Sequence, residues 1–336
     1  MSDGVERMTT EQSSYSIRFR GFWPGFDPHF FFLPFVSHAL GRDMRLEDDD
    51  IPVDLEIVSV FPEHKPPGPL GTLYQRYRHR VPPRLRVGRD EGPAQPNSLA
   101  RVSVWYTGEN VRPPLGVWDA TWSFDTDPIG GTNYYLPVWM IGMDFDWIPH
   151  PQDDGEVRQR RATNANFLGR RLRSEEMLRI RSGSAGERPL FCCTFINNPE
   201  PIRMHAIEAL REVGEVDVYG RASGRPVPDK ASIASDYQFM LCFENDLYPG
   251  YVTEKPFEAW GAGTIPIWRG LDPAGYMNRE AVIDQLQFRD LSRLAHFVEE
   301  VRHDVGWLNE VSSRPILTRA PDLLPIQNQL RHLVLD

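Results

Sequence analysis

Between positions 237 and 267 the chain gathers side chains suited to holding a phosphate or diphosphate. Glu244, Asn245 and Asp246 follow an unbroken apolar run, 239–243, and precede the flexible Pro249-Gly250. Thr253 then stands as an N-cap, Lys255 as the charge at a helix start, and Pro256 as a residue tolerated in a first helical turn. Polar groups at the carboxyl end of a strand, beside a helix N-terminus, are where open α/β sheets bind anionic ligands, and Lys255 adds a full positive charge there. Arg203 repeats the pattern after the apolar run 190–196, in the first turn of the next expected helix.

These residues need a sheet to present them. An apolar run such as 239–243 reads as a parallel strand covered on both faces. Around it the pattern predicts a β-α-β unit: a strand at 190–196, a turn at Asn197-Asn198-Pro199, a helix over 201–213 and a strand at 216–219. A helix from Lys255 and a strand at 264–268 complete a nucleotide-binding sheet. In the first half, strands are expected at 16–20, 53–61, 101–106 and 119–124, with a helix opening at Asp27-Pro28 and running through Leu40. The segment 62–96, rich in Pro, Gly and Arg, reads as loop, and a helix falls within 321–335.

The run 237–267 closely resembles the donor-binding signature of the bacterial-type α-1,3-fucosyltransferases of glycosyltransferase family 10, which move fucose from GDP-fucose to a sugar hydroxyl. The matching residues are Tyr237, Phe239, Phe243-Glu244-Asn245, Tyr251, Thr253-Glu254-Lys255 and Ile265-Pro266-Ile267. The resemblance is firm over 190–301, patchy over 101–137 and thin through the first hundred residues. It implies a GT-B-like α/β fold, two Rossmann-like domains facing a cleft. The expected division is 1–182 for the acceptor, 183–318 for the GDP-sugar donor, and 319–336 as a tail helix crossing back to the first domain.

The resemblance also implies roles. Glu109, in Tyr106-Thr-Gly-Glu-Asn110, corresponds to the family's catalytic base; on residue type alone it is one of 47 acidic residues. Arg203 and Lys255 would contact the donor diphosphate, and Asn245, Tyr251 and Glu254 the rest of the donor. Tyr219-Gly220-Arg221 repeats another family segment and lines the nucleotide pocket or serves as turn packing. The expected reaction is inverting transfer of L-fucose from GDP-β-L-fucose to an N-acetylglucosamine or glucose hydroxyl, α-1,3, on a surface polysaccharide or lipopolysaccharide. The alternatives are another GDP-linked deoxyhexose on the same fold, or a non-catalytic GDP-sugar or glycan-binding module.

Composition sets the outer bounds. At 336 residues the chain is comfortable for two domains, and a formal charge of −10 argues against a general nucleic-acid binder. The three cysteines, Cys192, Cys193 and Cys242, read as reduced buried thiols. The stretch 1–14 is polar, without signal-peptide character, and 30–40 is interrupted by Pro34 and His38; a cytoplasmic protein without a transmembrane segment is expected, with peripheral membrane contact open. The arginine-rich stretch 155–189 reads as a solvated helix and linker, or as a basic face for anionic lipid. Asp48-Asp49-Asp50 and Asp144-Phe-Asp146 satisfy a metal-holding Asp-x-Asp pattern, but no metal or other cofactor is expected, because Arg203 and Lys255 already supply cations. The aromatics at 30–35 read as core, or as an acceptor-facing surface.

Overall fold

The structure, a computed structural model, describes residues 15–61 except 24 and 49, 95–148 except 113 and 115, and 171–336 except 226 and 228. Among them are two all-parallel sheets. The first has six strands: β1 (Tyr15–Arg20), β2 (Met44–Leu46), β3 (Val53–Val58), β4 (Ala100–Tyr106), β5 (Ala120–Ser123) and β6 (Asn133–Tyr135), in the order β2-β1-β3-β4-β5-β6. The second comprises β7 (Leu190–Phe195), β8 (Val216–Tyr219), β9 (Tyr237–Phe243), β10 (Ile265–Arg269) and β11 (Ile283–Asp284), in the order β11-β10-β9-β7-β8. Parallel sheets bury both faces, and β9 and β10 accordingly carry almost uninterrupted apolar residues.

Helices supply the covering layers. The first sheet has α1 (Phe32–Leu40), with the short α2 (Val138–Ile141) and α3 (Ser174–Met177) further along the chain. The second sheet has α4 (Pro201–Arg211), α5 (Lys230–Ala234), α6 (Lys255–Gly261), α7 (Leu291–Val301) and α8 (Val305–Ser313). The last helix, α9 (Leu324–Leu335), docks on the first sheet's layer. Its Arg331 donates to the Ala39 carbonyl, its Val334 carbonyl accepts from Arg101, and the Gln329 amide accepts from the Trp122 indole and donates to the Thr132 carbonyl. One apolar cluster runs from α1 and the first sheet to Trp139, Phe257 and Tyr276, with the Trp139 and Phe257 rings stacked at 4.6 Å. The two halves therefore share a core.

Three local expectations change. The helix expected from Asp27 through Leu40 is split: Asp27 caps a 3-10 turn at Pro28–Phe30, the chain kinks at Phe31, and α1 begins at Phe32. Pro34 explains the break, since it has no N–H for the Phe30 carbonyl and its ring crowds that group. The strand expected over 53–61 ends at Val58, and the one at 264–268 lies one residue later. The edge strands β2, β6 and β11 are two or three residues long, too short to show a periodicity.

Phe31, Phe32 and Phe35 are fully buried, so the aromatic run 30–35 is core. The three cysteines are free and buried; burial pushes the Cys192 thiol up to about 12. The loop expected over 62–96 lies almost wholly outside the described residues, as do 1–14 and Arg158, Arg160, Arg161 and Arg170 of the basic stretch. Of its other cations, Arg171 lies over the Phe30 ring, Arg173 pairs with Asp144 and Asp146, and Arg181 lies over Trp260. No helix among the described residues is long and apolar enough to cross a membrane.

Candidate active site

The site is built around Glu244, the residue that follows β9. It is fully buried and accepts four hydrogen bonds: from the Thr253 amide (2.9 Å) and hydroxyl (2.6 Å), the Trp268 indole (3.3 Å) and the Lys255 ammonium (3.4 Å). A buried carboxylate is tolerated only when paired and satisfied in this way. Glu244 thereby pins the start of α6 to the end of β9, a role that its type and position in the sequence did not disclose. Thr253 is consequently not an N-cap: its hydroxyl faces Glu244 and accepts from Lys255 at 2.8 Å, and Glu254 occupies the cap position with helical backbone angles. The Lys255 side chain, 18% exposed, is held by Glu244 and Thr253, which leaves one of its three N–H groups unengaged by described residues. Removing the anchor should be costly. Glu244→Ala is expected to lower stability by about 3–5 kcal/mol, read as a drop in denaturation midpoint; an unchanged midpoint would contradict this role.

Arg203 sits in the first turn of α4 but reaches across to the end of β9. Its Nε (3.0 Å) and one terminal nitrogen (2.5 Å) donate to the Phe243 carbonyl, and the other terminal nitrogen to the Asn198 carbonyl (3.3 Å). Only 4% exposed, it is lowered from its ordinary pKa by burial, against the charges of Glu244, Tyr251, Glu200 and Glu254. Two of its five N–H groups remain unengaged by described residues. Arg203 and Lys255 thus flank the residue pair Phe243-Glu244 where β9 ends.

The acids here titrate differently. Burial pushes the Glu254 carboxyl up, but Lys255, Lys230 and Arg203 together hold it below the usual carboxylate range, so it stays ionised. Glu258, one helical turn on, is lifted to about 7 by burial, against the pull of Lys230 at 3.3 Å and with a push from Glu254. The sign follows from linkage: a carboxyl raised above its ordinary 4.5 keeps its proton in the folded chain where the unfolded chain has lost it. Stability should therefore fall as pH rises from about 4.5 to 7. Melting wild type and Glu258→Gln across this range should show the wild type losing ground as pH rises; a constant difference would rule out the buried titration.

The first half contributes the loop after β4. Thr107 Oγ donates to the Glu109 carbonyl (2.8 Å) and accepts from the Glu109 amide (3.1 Å), a compact side-chain turn. Space at Gly108 is tight, since a Cβ there would stand 3.1 Å from the Tyr106 hydroxyl and 3.3 Å from Val138. Glu109 itself is exposed. This loop, together with Phe124 just after β5, meets the loop after β9: the Asn110 amide donates to Asp246 (2.8 Å), Arg112 lies over the Tyr248 ring, and Phe124 packs edge-on against Tyr248 and Tyr251. Gly250, at φ 84°, lets the chain pass Phe124, whose carbonyl would stand 2.1 Å from any Cβ. Burial raises the phenols of Tyr106 and Tyr251 far above their ordinary value, and Glu109 and Glu254 both add to the rise in each. Acids from opposite halves therefore converge on the same two tyrosines.

Of the residues singled out from sequence, Glu109, Arg203, Tyr251, Glu254 and Lys255 come together here, and half-buried Asn245 lies between Glu244 and Asp246. The Tyr219-Gly220-Arg221 segment acts in turn packing: Tyr219 bonds Tyr237 (2.9 Å), and Gly220, at φ 101°, runs 2.5 Å at its Cβ position from the Ile196 carbonyl. Asp144 and Asp146 both face Arg173, and Asp49 lies outside the described residues. Among the described residues no group of three metal-capable side chains occurs. Tyr106, whose buried hydroxyl has no hydrogen-bond partner among the described residues, was not foreseen as a site residue; an aromatic at a strand end carries no signal beyond core.

Two parallel α/β sheets whose strand-end loops meet over paired cations and acids define a GT-B-like fold. The family model described as glycosyltransferase family 10 (fucosyltransferase) C-term matches residues 189–310, the stretch that carries the second sheet. Curated relatives include 4-galactosyl-N-acetylglucosaminide 3-α-L-fucosyltransferase 9 of Mus musculus, 35% identical over 118 residues, covering 33% of this chain and 33% of the relative. An α-(1,3)-fucosyltransferase of Helicobacter pylori is 24% identical over 239 residues, covering 64% of this chain and 47% of that one. The matches thus span a third to about half the length of these relatives. A crystal structure of an α1,3-fucosyltransferase with GDP superimposes with a TM-score of 0.64 at 18% identity, over 99% of this chain and 94% of that one. The crystal structure of an α1,3-fucosyltransferase with GDP-fucose gives 0.62 at 16%, with the same coverage. These likenesses establish the fold.

Proposed function

We propose that this protein is an inverting fucosyltransferase that moves L-fucose from GDP-β-L-fucose to a hydroxyl of a glycan acceptor. N-acetylglucosamine or glucose, linked α-1,3 in a surface polysaccharide or lipopolysaccharide, is the acceptor we favour. The observation that carries the reading is the meeting of the loop bearing Glu109 with the loop bearing Asn245 and Tyr251, in a chain whose residues 189–310 match the family 10 model. A donor-binding module alone would need no acid opposite its cations.

In this reading the Glu109 carboxylate takes the proton of the acceptor hydroxyl, whose oxygen attacks the anomeric carbon of fucose. The bond from that carbon to the β-phosphate oxygen breaks, and its electron pair leaves with GDP. The spare N–H groups of Lys255 and Arg203 neutralise the departing diphosphate. Glu254, kept ionised by Lys255 and Lys230, accepts hydrogen bonds from ribose hydroxyls, while Asn245 and Tyr251 hold the fucose or the phosphates. No metal or other cofactor is needed, since two side-chain cations already face the leaving group. We assign 1–182 to the acceptor, 183–318 to the donor and 319–336 to the tail, and place the protein in the cytoplasm. The test is a panel of GDP-sugars with N-acetylglucosamine and glucose acceptors, with and without a chelator. Fucose transfer that survives chelation is expected. Preference for another GDP-deoxyhexose would replace the donor, and GDP binding without turnover would reduce the protein to a binding module.

A further inference from the structure

Two kinds of contact join the loops after β4 and β5 to the loop after β9. The rings of Phe124, Tyr248 and Tyr251, the cation of Arg112 and the close approach at Gly250 press the loops together without setting how they turn. The hydrogen bond from Asn110 Nδ2 to Asp246 Oδ2, 2.8 Å long, does set it. Both ends are prepared. Asn110 adjoins Glu109 in a turn already fixed by Thr107, and the other Asp246 oxygen accepts from the Leu247 amide at 2.8 Å. A carboxylate acceptor makes the bond stronger than one between neutral groups.

We propose that Asn110 and Asp246 form a latch that positions Glu109 over the donor, because their hydrogen bond joins the base-bearing loop of one half to the donor loop of the other. Neither side chain is assigned contact with substrate: both are positioning residues. The inference rests on the fucosyltransferase reading for its kinetic consequence, but the latch itself is a property of the unliganded chain. Base catalysis depends steeply on placement, and a shift of about 1 Å can cost on the order of 100-fold in rate.

The test uses the full chain. Asn110→Ala should lower kcat by about 10- to 100-fold with little change in the KM for GDP-fucose. Asn110→Asp alone sets two carboxylates against each other and should be worse. Adding Asp246→Asn to it restores an amide–carboxylate bond with the roles exchanged, and should recover most of kcat. A merely structural defect would not be repaired by a reciprocal exchange, so a double variant no better than Asn110→Asp overturns the proposal. A second arm needs no substrate: hydrogen exchange at the Gly250 and Tyr251 amides should quicken in Asn110→Ala. If the unaltered protein transfers no fucose, the functional reading fails, and exchange alone then judges the latch, with unchanged rates overturning it.

Discussion

Glu109→Gln is expected to lower fucosyl transfer by about 10²–10⁴-fold, the usual contribution of a positioned general base, while GDP affinity changes little. Glutamine keeps the size of the side chain and one of its two acceptor oxygens, but it cannot take a proton. The loop's shape is set by Thr107 and by the room Gly108 leaves for Tyr106 and Val138, so the substitution should not disturb it. Full residual kcat would remove Glu109 from the mechanism. The side chain is exposed and belongs to the half opposite Lys255 and Arg203, so the loss should appear in kcat and not in donor binding.

The second large effect is expected at Lys255. Replacing it with methionine removes the cation while keeping most of the stem, and should lower kcat by about 10²–10³-fold and weaken GDP binding measured by titration calorimetry. The affinity for guanosine, which has no phosphate, should be nearly unchanged. The variant also leaves Glu244 with one charge partner fewer, so its denaturation midpoint must be measured alongside. Equal losses for GDP and guanosine would place Lys255 away from the diphosphate. Arg203 is a weaker probe of the same point, because three of its N–H groups hold the backbone of Phe243 and Asn198 and its loss would disturb the end of β9.

How much of this was legible beforehand depends on the kind of physics involved. The buried strands β9 and β10, the helix α4 and the strand β8 follow from apolar runs and spacing, and their bounds differ from expectation by two residues or fewer. Lys255 and Arg203 could be singled out because helix starts and strand ends announce themselves in the chain. Glu244 could not be assigned its work: four donors converge on it from Thr253, Lys255 and Trp268, and only the fold brings them together. For the same reason Thr253 read as a cap, its hydroxyl being equally able to face a helix amide or a carboxylate. Asn110–Asp246 spans 136 residues of sequence, and no local pattern carries such a pairing. Edge strands of two or three residues stayed below the reach of periodicity.

The central claim is that a base on one half and cations on the other act on a single bound donor from opposite sides. The most direct test is the anomeric configuration of the first product formed from GDP-β-L-fucose, read by proton NMR before any side reaction accumulates. Attack by an oxygen deprotonated by Glu109, with the diphosphate leaving towards Lys255 and Arg203, predicts an α-L-fucoside alone. A β-L-fucoside would contradict this arrangement of base and cations.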